Sequence, residues 1–217
     1  MKKKILVISL TVSLIAIAAL GATLAYFTDN KTVTNTFTMG NVKIELKEIT
    51  GYGEDNEPVY GVPNDNSEVD FGTVLPGSEK IKAPFVKNIG DNDAYVQLKV
   101  TIDNSAAFDK LFKDYNAVHS TAPLTIFDFF PGAPGMGWTG GNNVESGDTR
   151  TYIFQYDTKL AKNEQTSPIF KRVVIPTFLD DEFADANISA FTIGITAQAI
   201  QADNFVDADA AFAELNK

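Results

Sequence analysis

The chain has 217 residues, no cysteine and one histidine, and its 28 acidic and 18 basic side chains give a formal net charge of −10. These counts exclude a disulfide framework, a zinc site built from cysteines or several histidines, and nucleic-acid binding through clustered Lys and Arg. The apolar fraction of 44% supplies a core for one domain or two small ones.

The N-terminus has the organisation of a secretory signal peptide. Three lysines open it, no charge occurs in residues 5–28, and small residues close the apolar stretch. We therefore predict that signal peptidase removes residues 1–25, which places Ala25 before the cut and Tyr26 at the new N-terminus. Ala22 is a second candidate for the residue before the cut. The alternative is an uncleaved membrane anchor, since about 20 apolar residues span a bilayer.

Export would change the charge of the protein. Without residues 1–25 the chain keeps 192 residues with 15 basic and 28 acidic side chains, a formal charge of −13. A secreted chain without cysteine fits a Gram-positive or archaeal exterior, where disulfides are often not used. The expected location is therefore extracellular, in the matrix or at the cell surface.

Strand signals dominate the rest of the chain. Strict alternation of apolar and polar residues predicts half-buried strands at 41–47, 94–102, 149–156 and 190–200. Shorter apolar runs at 69–75, 81–89, 124–130 and 170–178 are further strand signals, and Gly- and Pro-bearing turns separate them. This pattern predicts an all-β fold, a jelly-roll-like antiparallel β-sandwich with short helical insertions.

Two helical insertions and one loop are predicted. Phe108, Leu111, Phe112 and Tyr115 recur at helical spacing, with Asn104 in position to cap the helix. Residues 207–215 form a second, terminal helix, and the polar stretch 51–67 is expected to be a long exposed loop.

Residues that could carry chemistry are few. No nucleophile motif or phosphate-binding loop is present, and His119 is interpreted as an ordinary loop histidine rather than a catalytic one. Acidic groups lack the spacing of a calcium loop and are interpreted as solvated turns and caps. Trp138 could stack on a sugar, although packing onto its own domain is favoured. The acidic groups are Asp91 with Asp93, residues 180–185, and Asp203 with Asp207 and Asp209.

Four passages carry a resemblance to a known family. They are residues 24–29 (LAYFTD), 36–46 (TFTMGNVKIEL), 70–77 (DFGTVLPG) and 86–96 (VKNIGDNDAYV). In these passages the chain resembles the TasA/camelysin family of secreted proteins, closely over residues 1–102 and more loosely afterwards. The resemblance implies a jelly-roll-like domain, export through a dedicated signal peptidase, and assembly into extracellular fibres that build biofilm matrix. Some members are described as metallopeptidases, but this chain lacks a histidine-based zinc site, so we predict no enzyme activity and no cofactor.

The segment that follows the cut suits polymerisation. Phe27, Val33, Phe37 and Met39 all lie at odd positions of a Thr-rich, β-prone segment with a free N-terminus. Such an arm can add to the sheet edge of a neighbouring copy, and a head-to-tail contact that does not close makes a filament. The alternative is that the arm pairs within its own domain. The predicted division is a signal peptide at 1–25, a donor-strand arm at 26–40 and a jelly-roll-like domain at 41–217.

The predicted function is a structural homopolymer in the extracellular matrix. Its partner is a second copy of itself, joined by an accessory matrix or anchoring protein and, during export, by signal peptidase. The rival functions are a membrane- or wall-associated adhesin that uses Trp138 and the Gly-rich segment 131–142, and, less favoured, a camelysin-like metallopeptidase.

Overall fold

The computed structural model describes residues 28–31, 42–61, 76–180 and 191–215. Within these ranges the chain forms ten strands, two α-helices and two short 3-10 turns, and every strand pair is antiparallel. The predicted all-β class is therefore confirmed for the described part. The strands are β1 (Thr28–Lys31), β2 (Ile44–Tyr52), β3 (Pro58–Tyr60), β4 (Glu79–Ile81), β5 (Ala83–Asn88), β6 (Ala94–Asp103), β7 (Trp138–Ser146), β8 (Thr149–Tyr156), β9 (Arg172–Val174) and β10 (Ile193–Gln201). The helices are α1 (Ser105–Val118) and α2 (Ala208–Leu215), and the 3-10 turns cover Ile126–Phe129 and Thr177–Asp180.

The strands form three sheets. Sheet A has the order β1-β10-β6-β8-β7, sheet B the order β3-β2-β5, and sheet C pairs β4 with β9. Inward side chains of sheets A and B meet in one apolar core, together with α1. Ile44 of β2 and Val42 just before it enter this core, and Phe108 and Leu111 enter it from α1.

Strand β6 lies at the centre of sheet A and is buried on both faces over its first half. Val96, Leu98, Val100 and Ile102 face the core, as their alternation predicts. Tyr95 on the opposite face is buried as well, because α2 packs there. A half-buried strand is therefore the wrong description of this end of β6.

Three predictions about local structure are wrong or incomplete. The run 124–130 contains a 3-10 turn instead of a strand, since the Asp128 carboxylate accepts a hydrogen bond from the Thr125 backbone N–H at 2.7 Å. The stretch 51–67 is not one loop, because β2 continues to Tyr52 and forms a hairpin with β3. The run 170–178 holds only β9 before it turns into the second 3-10 segment. The run 69–75 lies outside the described residues.

Helix α1 is confirmed but is capped differently from the prediction. Asn104 precedes it in a left-handed conformation with φ of 57°, and its side chain makes no capping hydrogen bond. Asp148 supplies the cap from the turn between β7 and β8, where its Oδ1 accepts a hydrogen bond from the Ala106 N–H at 3.0 Å. A residue distant in sequence thus anchors the start of α1 to the sheet. The terminal helix is also confirmed, with Asp207 Oδ1 accepting from the Ala210 N–H at 2.8 Å.

Candidate functional site

The candidate site is the edge of sheet A at which β10 meets β1. On its inner side, β10 pairs with β6 along its whole length, from Ile193 to Gln201. On its outer side, β1 covers only residues 197–200, in the register Thr28 to Ile200 and Lys31 to Ala197. In the described ranges no strand lies opposite the first half of β10 on this side.

The hydrogen-bond pattern shows which groups of β10 face this edge. The Asp103 N–H donates to the Thr192 carbonyl at 3.4 Å, and the Ala202 N–H donates to the Asp93 carbonyl at 2.9 Å, both toward β6. Main-chain groups alternate sides along an antiparallel strand. The N–H and C=O groups of the odd-numbered residues from Ile193 to Ala199 therefore point toward the β1 side.

The same odd-numbered residues direct their side chains into the core. Ala197 and Ala199 are fully buried, and Ile193 and Ile195 pack against the core cluster. A strand that completes this edge therefore adds a wall to the core as well as main-chain hydrogen bonds. An added strand would thus pair with the main chain of β10 and bury apolar side chains at the same edge.

The opposite edge of sheet A is blunted. A register shift between Gly140 and Asn142 bulges β7 away from β8, and both Gly140 and Gly141 have positive φ values. A Cβ on Gly140 would lie 2.5 Å from the Ile153 carbonyl oxygen, so this bulge requires glycine. Bulges of this kind disrupt the regular edge that an added strand needs. Of the two edges of sheet A, the β10 side is the one suited to strand addition.

The predicted arm is only partly described. Its residues Thr28–Lys31 form β1 and pair with β10 of the same chain, which is the alternative raised above for this arm. The arm residues Phe27, Val33, Phe37 and Met39 lie outside the described residues, as do Ala25, Tyr26 and the signal segment 1–25. The sequence identifies 190–200 as a strand but carries no signal that it lies next to the sheet edge.

Trp138 is not available as a surface sugar platform. Its side chain is only 4% exposed, its ring lies 5.1 Å from that of Tyr156, and its Nε1 donates to the Ser167 carbonyl at 2.8 Å. Residues 138–142 belong to β7 and not to an open loop. The role of Trp138 as a sugar-stacking side chain is therefore wrong, and the favoured packing onto its own domain is confirmed.

His119 lies exposed at the C-terminal end of α1. Its Nδ1 is 3.1 Å from the Tyr115 carbonyl oxygen, and its ring stacks on the Tyr115 ring at 4.1 Å. His119 thus ends the helix and does not lie in a separate loop, where the sequence placed it.

The acidic pair in the turn before β6 is held by lysines. Lys162 lies 2.7 Å from Asp91 and lowers the pKa of that carboxyl through a hydrogen bond and its charge. Lys159 lies 2.7 Å from Asp93, which raises the pKa of the lysine through a hydrogen bond and its charge. Among the described residues no three His, Asp or Glu side chains are grouped so as to hold a metal ion.

Comparisons with protein-family models, with curated protein sequences and with solved structures yield no match for this chain. Within the described ranges, neither helix has the length and apolar character needed to cross a bilayer.

Proposed function

We propose that this chain is the subunit of an extracellular matrix fibre, secreted after removal of residues 1–25 and joined to its neighbours by donation of the arm 26–40. In this proposal sheets A and B belong to a jelly-roll-like β-sandwich, and the partner of each copy is the next copy. The fibre proposal also draws on the sequence resemblance to the TasA/camelysin family. Its role is structural, without catalysis.

The observation that carries the proposal is the short β1 ladder on an edge of β10 that no other strand of the described residues covers. Four residue pairs join β1 to β10. The same four pairs can form between β1 of one copy and β10 of another, because the strand and its acceptor are identical in every copy. In the closed form β1 pairs with β10 of its own chain, and in the exchanged form it pairs with β10 of a neighbouring copy. The main-chain pairing is the same in both forms. Protein concentration and the connection from β1 to β2 therefore decide which form is populated.

A donated arm can contribute more than four pairs. If it continued in the register of β1, Val33 would lie opposite Ile195, whose main chain faces this edge. Val33 would then share the core-facing side of the sheet with Ile195, which packs against the core. A longer ladder would therefore add apolar surface from Val33 to the core of the acceptor.

Charge sets the conditions for assembly. A formal charge of −13 on the processed chain opposes association wherever it is poorly screened. Main-chain pairing and apolar insertion must therefore drive polymerisation, and we expect added salt to promote it.

Deletion of residues 26–39 from the processed chain tests the proposal. The truncated protein should stay folded and monomeric, and negative-stain electron microscopy should show no fibres where the chain starting at Tyr26 forms them. Fibres from the truncated chain would contradict strand donation. N-terminal sequencing of the surface form separates the rival, since retention of residues 1–25 would indicate an anchored module.

A further inference from the structure

Sheet A has an outer face, opposite the core, that α2 covers only in part. Helix α2 packs over Tyr95 and Ile200 at one end. Beyond it, the outward residues of 99–103 on β6, 149–155 on β8, 194–198 on β10 and 142–146 on β7 share a face with no helix of the described chain upon it. We name this surface the polar face.

Hydrogen bonds between neighbouring side chains order the polar face. The hydroxyl groups of Thr101 on β6 and Thr151 on β8 share a hydrogen bond, with their oxygens 2.9 Å apart. Next to this face, Gln97, which is only 2% exposed, donates to Gln198 at 2.9 Å across β6 and β10. Val144 at its border is 59% exposed. Such hydrogen bonds hold side chains in place before any partner arrives, so ordering them costs little on binding.

The charge on the polar face is balanced, unlike the charge of the chain. Its charged side chains are Lys99 and Asp103, which flank Thr101 by two residues on either side. At about 3.4 Å per residue they lie roughly 14 Å apart. In a chain with a formal charge of −10, a face of zero net charge is where two copies can approach with least repulsion.

We propose that a second copy of this chain stacks on the polar face about a two-fold axis that passes over Thr101, perpendicular to β6. This rotation reverses the strand, so Lys99 of each copy lies over Asp103 of the partner subunit. Stacked sheets lie about 10 Å apart, a gap that a lysine and an aspartate together can span. The arrangement is self-complementary, as a two-fold interface requires.

The size of the polar face makes this a weak contact. Four strands at about 4.8 Å and five residues at about 3.4 Å give roughly 300 Å² of projected surface per copy. This is well below the 1,200 Å² or so of total buried surface in stable complexes. Isolated subunits should therefore pair only at high concentration. The contact does not need the N-terminal arm, but in a fibre its repeats would add up and join fibres side by side.

The absence of cysteine allows a direct test. Val144 lies on the polar face in the row of Thr101 and Thr151, so the proposed axis brings Val144 of the two copies opposite each other. Asn143, its exposed neighbour on β7, points to the other face and is the matched control. With a bismaleimide of about 8–10 Å, chosen to match the sheet spacing, Val144→Cys should form about tenfold more covalent dimer than Asn143→Cys.

Charge reversal tests the register. Lys99→Glu in the Val144→Cys chain should lower the dimer yield about tenfold, since both attractive pairs become repulsive. The double change Lys99→Glu with Asp103→Lys should restore it. Lys110→Glu on α1 makes the same change in net charge away from the face and should leave the yield unchanged.

Asp103 also accepts a hydrogen bond from the Thr192 N–H at 2.6 Å, so the fold of the double variant is checked by thermal unfolding. If that variant does not fold, Thr101→Arg, which sets like charges at the axis, should abolish the cross-link.

Equal cross-linking at the two cysteines, or a yield indifferent to Lys99→Glu, would overturn the proposal. Protection of Val144→Cys from a monofunctional maleimide by an added glucan, without cross-linking, would assign the face to carbohydrate and overturn it too. The same measurements on the chain lacking residues 26–39 separate this contact from strand donation. That deletion should remove fibres and leave the cross-link.

Discussion

Replacing Asp29 with proline should weaken the binding of the arm to the β10 edge, whereas the same change at Asn30 should have a much smaller effect. Asp29 pairs with Ala199, whose main-chain groups face β1. Asn30 pairs with Gln198, whose main-chain groups face β6. Because groups alternate along a strand, the N–H of Asp29 points into the ladder and that of Asn30 points away from it. Proline removes an N–H, so only the first change removes a ladder hydrogen bond.

The size of the effect follows from the short ladder. Lys31 and Asp29 are the two residues of β1 that exchange main-chain hydrogen bonds with β10, which gives four bonds in total. Proline at 29 removes one of the four and leaves the carbonyl of the fully buried Ala199 without its partner. A buried carbonyl left unpaired costs about 1–3 kcal/mol. The affinity of the arm for its acceptor should therefore fall roughly 5- to 150-fold.

The assay is the dissociation constant of a peptide of residues 26–39 for the chain that lacks them, where no arm of the same chain competes for β10; it should rise by the same factor as the affinity falls. Asp29→Asn controls for the lost charge and should behave as the parent chain. Equal effects of proline at 29 and 30, or no effect of either, would refute the register on which the acceptor edge is built.

Three other outcomes are expected. Glu48→Gln should lower the free energy of unfolding by about 3 kcal/mol in urea titrations, because it leaves the buried Lys82 ammonium without the carboxylate 2.7 Å away; a fully stable variant would show that this pair is dispensable. Burial raises the pKa of Tyr152 even though Arg150 lowers it, so the folded state keeps a proton that the unfolded state loses. Stability should therefore fall as the pH rises above about 10, and less steeply in Tyr152→Phe, when unfolding is followed by circular dichroism. His119→Ala should leave fibre formation unchanged in electron micrographs, because this side chain lies at an exposed helix end, and a loss of fibres would give it a role in assembly.

Strands could be predicted wherever only one face of the strand packs against the core. Tyr152 and Phe154 alternate with outward residues and are buried as expected, since β8 has its core on one side. Tyr95 departs from the pattern because α2 arrives from more than 100 residues away to cover it. Local periodicity records the face that a strand presents to the core but not the helix that later packs on the other face.

The cap of α1 and the edge of sheet A could not be predicted from the sequence for a similar reason. Asn104 is a reasonable cap by residue type, but the capping hydrogen bond comes from Asp148 in the turn between β7 and β8. The segment 190–200 alternates in the same way as 94–102, although one lies beside the edge of the sheet and the other at its centre. Strand order depends on long-range pairing, which no window of neighbouring residues contains. The acceptor edge could therefore be identified only from the pairing of β10 with β6 and β1.

The glycine bulge in β7 has a consequence for the kind of polymer this sheet can join. Amyloid grows because both edges of every sheet are regular and each added strand exposes a fresh template. In sheet A the β7 edge is interrupted by the bulge between Gly140 and Asn142, so a strand can be accepted only at the β10 edge. A polymer built on such a sheet would have a direction, with a donating end and a receiving end that are chemically distinct. It would lengthen one subunit at a time, and its sheets would not fuse into a continuous cross-β spine.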